Sequence, residues 1–148
     1  MNAKEDAERL MNEVVPFAKR MLEDHGEFSP YGAYIKPRGE IVHVGANDKD
    51  TEHPKSKDLL YVLRDSFSAM AKVGECIATA MVSNVVVDLP STLSKSDAIQ
   101  VCLEHSDGYS AEVFSPYAVA DDGHLVYGPI FAQEGKRDLF CSGSRPRF

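Results

Sequence analysis

Apolar side chains recur at three- and four-residue steps along residues 4–24, with Ala7, Leu10, Met11, Val14, Ala18, Met21 and Leu22 separated by charged positions. That period predicts an amphipathic helix with one buried stripe. Pro16 removes a backbone donor from it and predicts a kink or break near residues 14–15. Gly26 follows the last apolar position and suits a left-handed stop. Residues 31–36 and 40–45 then form two short runs around Pro37, Arg38 and Gly39, a tripeptide with the φ preferences of a tight reversal. In the second run, Ile41 shares a face with His43, and Val42 with Val44.

Residues 47–54 are polar and turn-like. A second helix is expected from about Pro54, with Leu60, Leu63, Phe67, Met70 and Ala71 as its buried stripe and Gly74 at its end. Strand-like sequence runs from Glu75 to Leu89, long enough that a bulge near Ser83 and Asn84 is expected. After a Ser/Thr-rich connection at 90–96, residues 98–105 and 109–116 flank a hairpin signal at His105, Ser106, Asp107 and Gly108. A last strand is expected over 125–132. The order is α-ββ-α-βββ(β). Segregated helices on an antiparallel sheet predict an α+β fold, a two-layer sandwich with both helices on one face and the other face partly open.

A chain of 148 residues suits one domain with one substantial core. Residues 1–135 read as that domain and 136–148 as a basic tail that frays in solvent. Lys136, Arg137, Arg145 and Arg147 against Asp138 give the tail +3, leaving about −10 on the body of a chain whose formal net charge is −7. An acidic body argues against general nucleic-acid binding and can steer a basic partner. No apolar run approaches the roughly 18 residues of a membrane span. The acidic N-terminal residues lack the layout of a secretory signal, so a cytoplasmic location is expected. Cys76, Cys102 and Cys141 show no CxxC spacing and read as reduced structural thiols.

The histidines, at 25, 43, 53, 105 and 124, lack the i, i+4 spacing of a helical zinc pair. A metal site would have to bring together His43, His105 and an acid such as Asp107, and neither metal nor cofactor is expected. There is no GxSxG elbow and no GK[ST] triplet. Ser142, Ser144 and Cys141 fall in the tail, a poor place for a preorganised active site. Glu40, Glu104 and Glu112 lie on or beside strands, with the solvent face as their default. The aromatic residues are more suggestive. Phe28, Tyr31, Tyr34, Phe114, Tyr117, Tyr127 and Phe131 cluster at strand ends, and the tetrapeptide FSPY occurs twice, at 28–31 and 114–117. Tyr31, Tyr34, Tyr117 and Tyr127 are candidates for a contact surface, because tyrosine offers rigid area with one polar handle. The alternative is a pocket between helices and sheet lined by Tyr34, His43, His105 and Glu112.

With its GEFSPYGA start at 26–33, LEHSDGY at 103–109, VFSPY at 113–117 and YGPIFAQ at 127–133, the chain resembles a family of small bacterial proteins of unknown function. The element order also resembles that of roadblock and longin modules, which dimerise or scaffold other proteins. The acidic body, an open sheet face, aromatic strand ends and the lack of a catalytic signature make a non-enzymatic protein-interaction module the expected function. It would bind a protein partner or a second copy, in a self-associating, toxin-neutralising or regulatory role. A small enzyme or ligand-binding protein is the alternative.

Overall fold

The structure, a computed structural model, describes residues 2–45, 56–92, 94–137 and 139–140. Helix α1 (Ala3–His25) opens with a capping box. The Asn2 side chain accepts from the Glu5 amide while the Glu5 carboxylate accepts from the Asn2 amide, and Gly26 closes the helix in the left-handed region at φ 76°. The helix runs unbroken through Pro16. Asn12, whose carbonyl loses its helical donor to the proline ring, and Pro16 itself are both exposed, so that carbonyl faces water.

Strands β1 (Tyr31–Ile35) and β2 (Ile41–Gly45) form the expected hairpin. Helix α2 (Ser56–Lys72) follows; its beginning near Pro54 and the 47–54 connection lie outside the described residues. Its innermost side chains are Leu59, Leu63 and Phe67; Leu63 and Phe67 are in the expected stripe, Leu59 takes the place expected for Leu60, and Met70 and Ala71 are only half-buried. Strands β3 (Ala78–Asp88), β4 (Lys95–His105), β5 (Ser110–Val119), β6 (Leu125–Tyr127) and β7 (Phe131–Glu134) complete the chain. The sheet is antiparallel throughout, in the order β2-β1-β3-β4-β5-β6, with β7 also pairing β5. All of β3 pairs with β4 in one continuous register, so the bulge expected at Ser83–Asn84 is absent. The break falls instead in the last strand, which is divided into β6 and β7 at Gly128, Pro129 and Ile130. The α+β class and the order α-ββ-α-βββ(β) hold as expected.

The layering differs from expectation. On β1, β3 and β4, Ala33, Ile35, Ala80, Val82, Ile99, Val101 and Leu103 alternate onto one face and pack against Leu10, Val14, Ala18 and Leu22 of α1. Their neighbours in sequence face the other way, where Met81, with Tyr34, Val44 and Cys102 around it, meets Leu63 and Phe67 of α2. The helices therefore cover opposite faces, and the sheet is the middle of three layers. Gly32 shows the reason. The Phe67 ring lies over it so closely that a Cβ there would sit 3.0 Å from Cζ, and it would also meet the Ala80 carbonyl oxygen at 2.5 Å. In β1 both alternating sets are apolar or small, the mark of a strand buried on two sides.

The expected tail is also part of the fold as far as it is described. Leu139 is 3% exposed and joins the α2-side cluster with Phe140 beside it. Residues 141–148 lie outside the described residues, as do Cys141, Ser142 and Ser144.

Candidate ligand-binding cleft

The face of the sheet that carries α2 is only partly filled. Strand register lays its residues out in rows across β3, β4 and β5. Thr79, Glu104 and Ser110 form one row; Met81, Cys102 and Glu112 the next; Ser83, Gln100 and Phe114 the third. Phe114 is capped by a stacked Phe131, ring centroids 5.0 Å apart, and leaves the polar members of the rows as floor. Leu60 and Arg64 of α2 wall one side and Lys136 and Leu139 another, enclosing a cleft of about 200 Å3. That is smaller than the usual 300–1,000 Å3 of drug-sized pockets.

Residues 135–137 and 139–140 form this wall, a strap along the cleft. Gly135 comes so near Ser110 and Ala111 that a side chain there would collide with the Ser110 hydroxyl and the Ala111 amide. The Ser110 hydroxyl donates to the Lys136 carbonyl at 2.9 Å. Glu104 then secures the far end, its Oε2 accepting from the Leu139 and Phe140 amides at 2.8 and 2.9 Å. Sequence reasoning assigned Glu104 to solvent by default, yet it is 7% exposed. Two backbone donors on one oxygen offset part of the cost of its burial.

Thr79 is 1% exposed, lines the cleft, and its Oγ1 has no hydrogen-bond partner among the described residues. A buried hydroxyl left in that state costs about 1–3 kcal/mol. Across the floor, the Ser83 hydroxyl reaches Gln100 Oε1 at only 3.4 Å, a long bond that another partner can replace. Glu112 Oε1 accepts from Gln133 at 2.9 Å on the open side.

The four tyrosines proposed as a contact surface point largely into the molecule. Tyr31 is buried, donates to the Val14 carbonyl at 2.5 Å, and packs edge-on against Phe17 and Phe28. Tyr117 is buried and donates to Asn84 Oδ1 at 2.8 Å. Tyr127 leans on Tyr117 and carries the Lys19 ammonium 4.4 Å above its ring. Desolvation drives the hydroxyls of Tyr31, Tyr117 and Tyr127 above their ordinary range. Tyr34 is half-buried on the other face, edge-on to Phe67. The FSPY rings pack rather than mark sheet corners: Phe28 and Tyr31 lie at the start of β1, but Phe114 lies within β5, paired with Gln100 and Phe131.

The alternative set is divided by the sheet. His43 and His105 lie on the α1 face, bound to Glu13 and Asp6 respectively, each at 2.9 Å. Tyr34 and Glu112 lie on the α2 face, and of the four only Glu112 lines the cleft. Alternation makes His43 and His105 partners of α1, which sequence alone could not decide while both helices were assigned to one side. Among the described residues, no group of three or more His, Cys, Asp or Glu side chains is arranged to hold a metal ion. No described helix is long and apolar enough to cross a membrane.

No family model, curated protein or solved structure matches this chain.

Proposed function

We propose that this protein binds a small polar molecule in the cleft between α2, the strap formed by residues 135–137 and 139–140, and the β3–β4–β5 floor. The observation that carries the reading is Thr79, whose buried hydroxyl lacks a partner in a floor otherwise set with hydroxyl, amide and carboxylate groups. Concave sites with a few converging polar groups are where small ligands bind. Thermal-shift screening of a polar metabolite library against the wild type and Thr79→Val tests it. The expected result is a stabilising compound whose effect is lost in the variant. A library with no hits, or hits indifferent to the substitution, contradicts it.

A protein-interaction role is the second reading, favoured by one specific feature. Strand β2 ends the sheet, and its residues are half-buried or exposed, so its outer edge offers backbone groups for strand addition. The formal charge of −7 would steer a basic partner. Sizing across a concentration series, with crosslinking from an introduced cysteine at His43, tests it. A dimer joined through β2, or a captured partner crosslinked there, supports this role; a monomer throughout with no crosslink argues against it.

A further inference from the structure

We infer that β2 is the edge through which two copies of this chain join into one continuous sheet, an assignment that rests on the strand-addition reading above and names its partner. The two edges of the sheet are built differently. On the far side, β6 and β7 are parted at Gly128, Pro129 and Ile130, and Pro129 has no amide to offer a further strand. A break and a proline are common means of blunting an edge. β2 has neither: it pairs with β1 residue by residue over Ile41–Gly45 and carries no proline or lysine. Its outer backbone is unpaired among the described residues.

The helix beside this edge is uncharged on the matching flank. Phe67 seats α2 over Gly32 of β1, while Leu60 and Arg64 turn toward the cleft. At about 100° per residue, Val62, Ser66 and Ala69, with Val73 just past the helix end, lie on the opposite flank, toward β2. All four are exposed, Val62 by 41% and Val73 by 69%. Val42 and Val44 are half-buried on the same face of the sheet.

A second copy fits this surface by symmetry. Antiparallel pairing of β2 with itself, centred on His43, has its two-fold axis perpendicular to the sheet. Both α2 helices then lie on one face and run in opposite directions. Phe67 stands over Gly32, whose partner on β2 is Val44. His43 is one strand residue further on, about 3.4 Å, which is about two helical residues and brings the axis level with Ala69. Reversal about Ala69 sets Asp65 of one copy level with Lys72 and Val73 of the other, and does so twice. Both charged residues are exposed, and neither makes an ion pair among the described residues. An unrelated strand meets the same backbone edge without this repeat of opposite charges. On the α1 face each His43 keeps its own Glu13 at 2.9 Å, so neither ring brings an uncompensated charge to the axis.

The test is light-scattering mass measurement on the full chain across a concentration series. The expected mass is that of two chains, with Ala69→Arg weakening association at least about ten-fold while the monomer stays folded. Asp65→Lys and Lys72→Glu are each expected to weaken it, and the two together to restore it, because the double variant rebuilds both opposite-charge contacts. With Cys102 and Cys141 replaced by serine, His43→Cys is expected to form a disulfide between copies, since residues facing across the axis have Cβ atoms about 4.5–5.5 Å apart. Ile41→Cys lies about 14 Å from its own copy in that register and is expected not to. A dimer indifferent to Ala69→Arg and to the charge exchanges, or one linked through Ile41→Cys, overturns the assignment. If the chain stays monomeric while His43→Cys captures a different protein, the strand-addition reading survives and the second copy is overturned. If the chain is monomeric throughout and nothing is crosslinked, both fall together.

Discussion

His105 Nε2 lies 2.9 Å from Asp6 Oδ2, joining the end of β4 to the first turn of α1 across 99 residues of sequence. The other ring nitrogen, Nδ1, lies 3.1 Å from the Asp107 amide and 3.3 Å from Asp107 Oδ1, so carboxylates flank the ring on both sides. Asp6 is 3% exposed and has Arg9 beside it at 3.6 Å. Removing either partner leaves a buried polar group without its bond. Asp6→Ala and His105→Ala are each expected to lower stability by about 1–3 kcal/mol, with the double variant costing less than the sum. Urea denaturation of the four proteins checks this; additive losses would mean the pair does not act as one unit.

The packing of Phe67 on Gly32 holds α2 to the sheet. Phe67→Ala is expected to cost about 3–5 kcal/mol by opening a cavity in a fully buried position. Gly32→Ala is expected to destabilise as well, because its Cβ would displace both the ring and the Ala80 carbonyl. Overpacking of this kind costs about 1–3 kcal/mol. Chemical denaturation measures both. A neutral Gly32→Ala would place the helix elsewhere.

Stability is expected to fall on the alkaline side. Burial, followed by the neighbouring Glu75 carboxylate, pushes the Cys76 thiol up to about 11. Burial likewise raises the hydroxyls of Tyr31, Tyr117 and Tyr127. The folded state thus keeps these protons to higher pH than the unfolded chain, whose thiols and phenols ionise near about 8.5 and about 10. Their contribution is complete below about pH 8.5 and is lost as the pH rises through the folded values. Urea midpoints measured from about pH 8 to about pH 11 are expected to decline steadily, and native Cys76 is expected to resist alkylation at neutral pH. A flat midpoint or rapid alkylation of Cys76 would refute the burial argument.

The strap depends on Glu104 and Leu139. Leu139→Ala is expected to cost about 2–5 kcal/mol if the segment unfolds only with the domain, and less if it detaches alone. Glu104→Ala removes the acceptor of two amides, so limited proteolysis is expected to cut within residues 135–140 faster than in wild type. Unchanged cleavage would show that the apolar anchor suffices.

Much of the architecture was legible in the sequence because it follows from period and turn chemistry. The three-residue steps of α1, the Pro37–Gly39 reversal and the hairpin at 105–108 all appear where expected. The opposed helices were missed although β1 carried the signal. Tyr31, Gly32, Ala33, Tyr34 and Ile35 do not alternate apolar with polar, which marks a strand covered on both faces. The same oversight misplaced the tyrosines, since a face thought open was already occupied by α2 or α1. Thr79 and Gln100 carry no local signal, and nothing local distinguishes Glu104 from a solvent-facing strand carboxylate. Only the register of three strands brings them together, and burial of Glu104 depends on backbone amides that no sequence pattern reveals.

The most direct measurement is an NMR shift map of the isotopically labelled chain titrated with the best compound from the library screen. Binding in the cleft is expected to move the amides of Thr79, Gln100, Cys102, Glu112 and the strap together, saturably and at one affinity. Shifts confined to the β2 edge, or none at saturating compound, would contradict a ligand site on the α2 face.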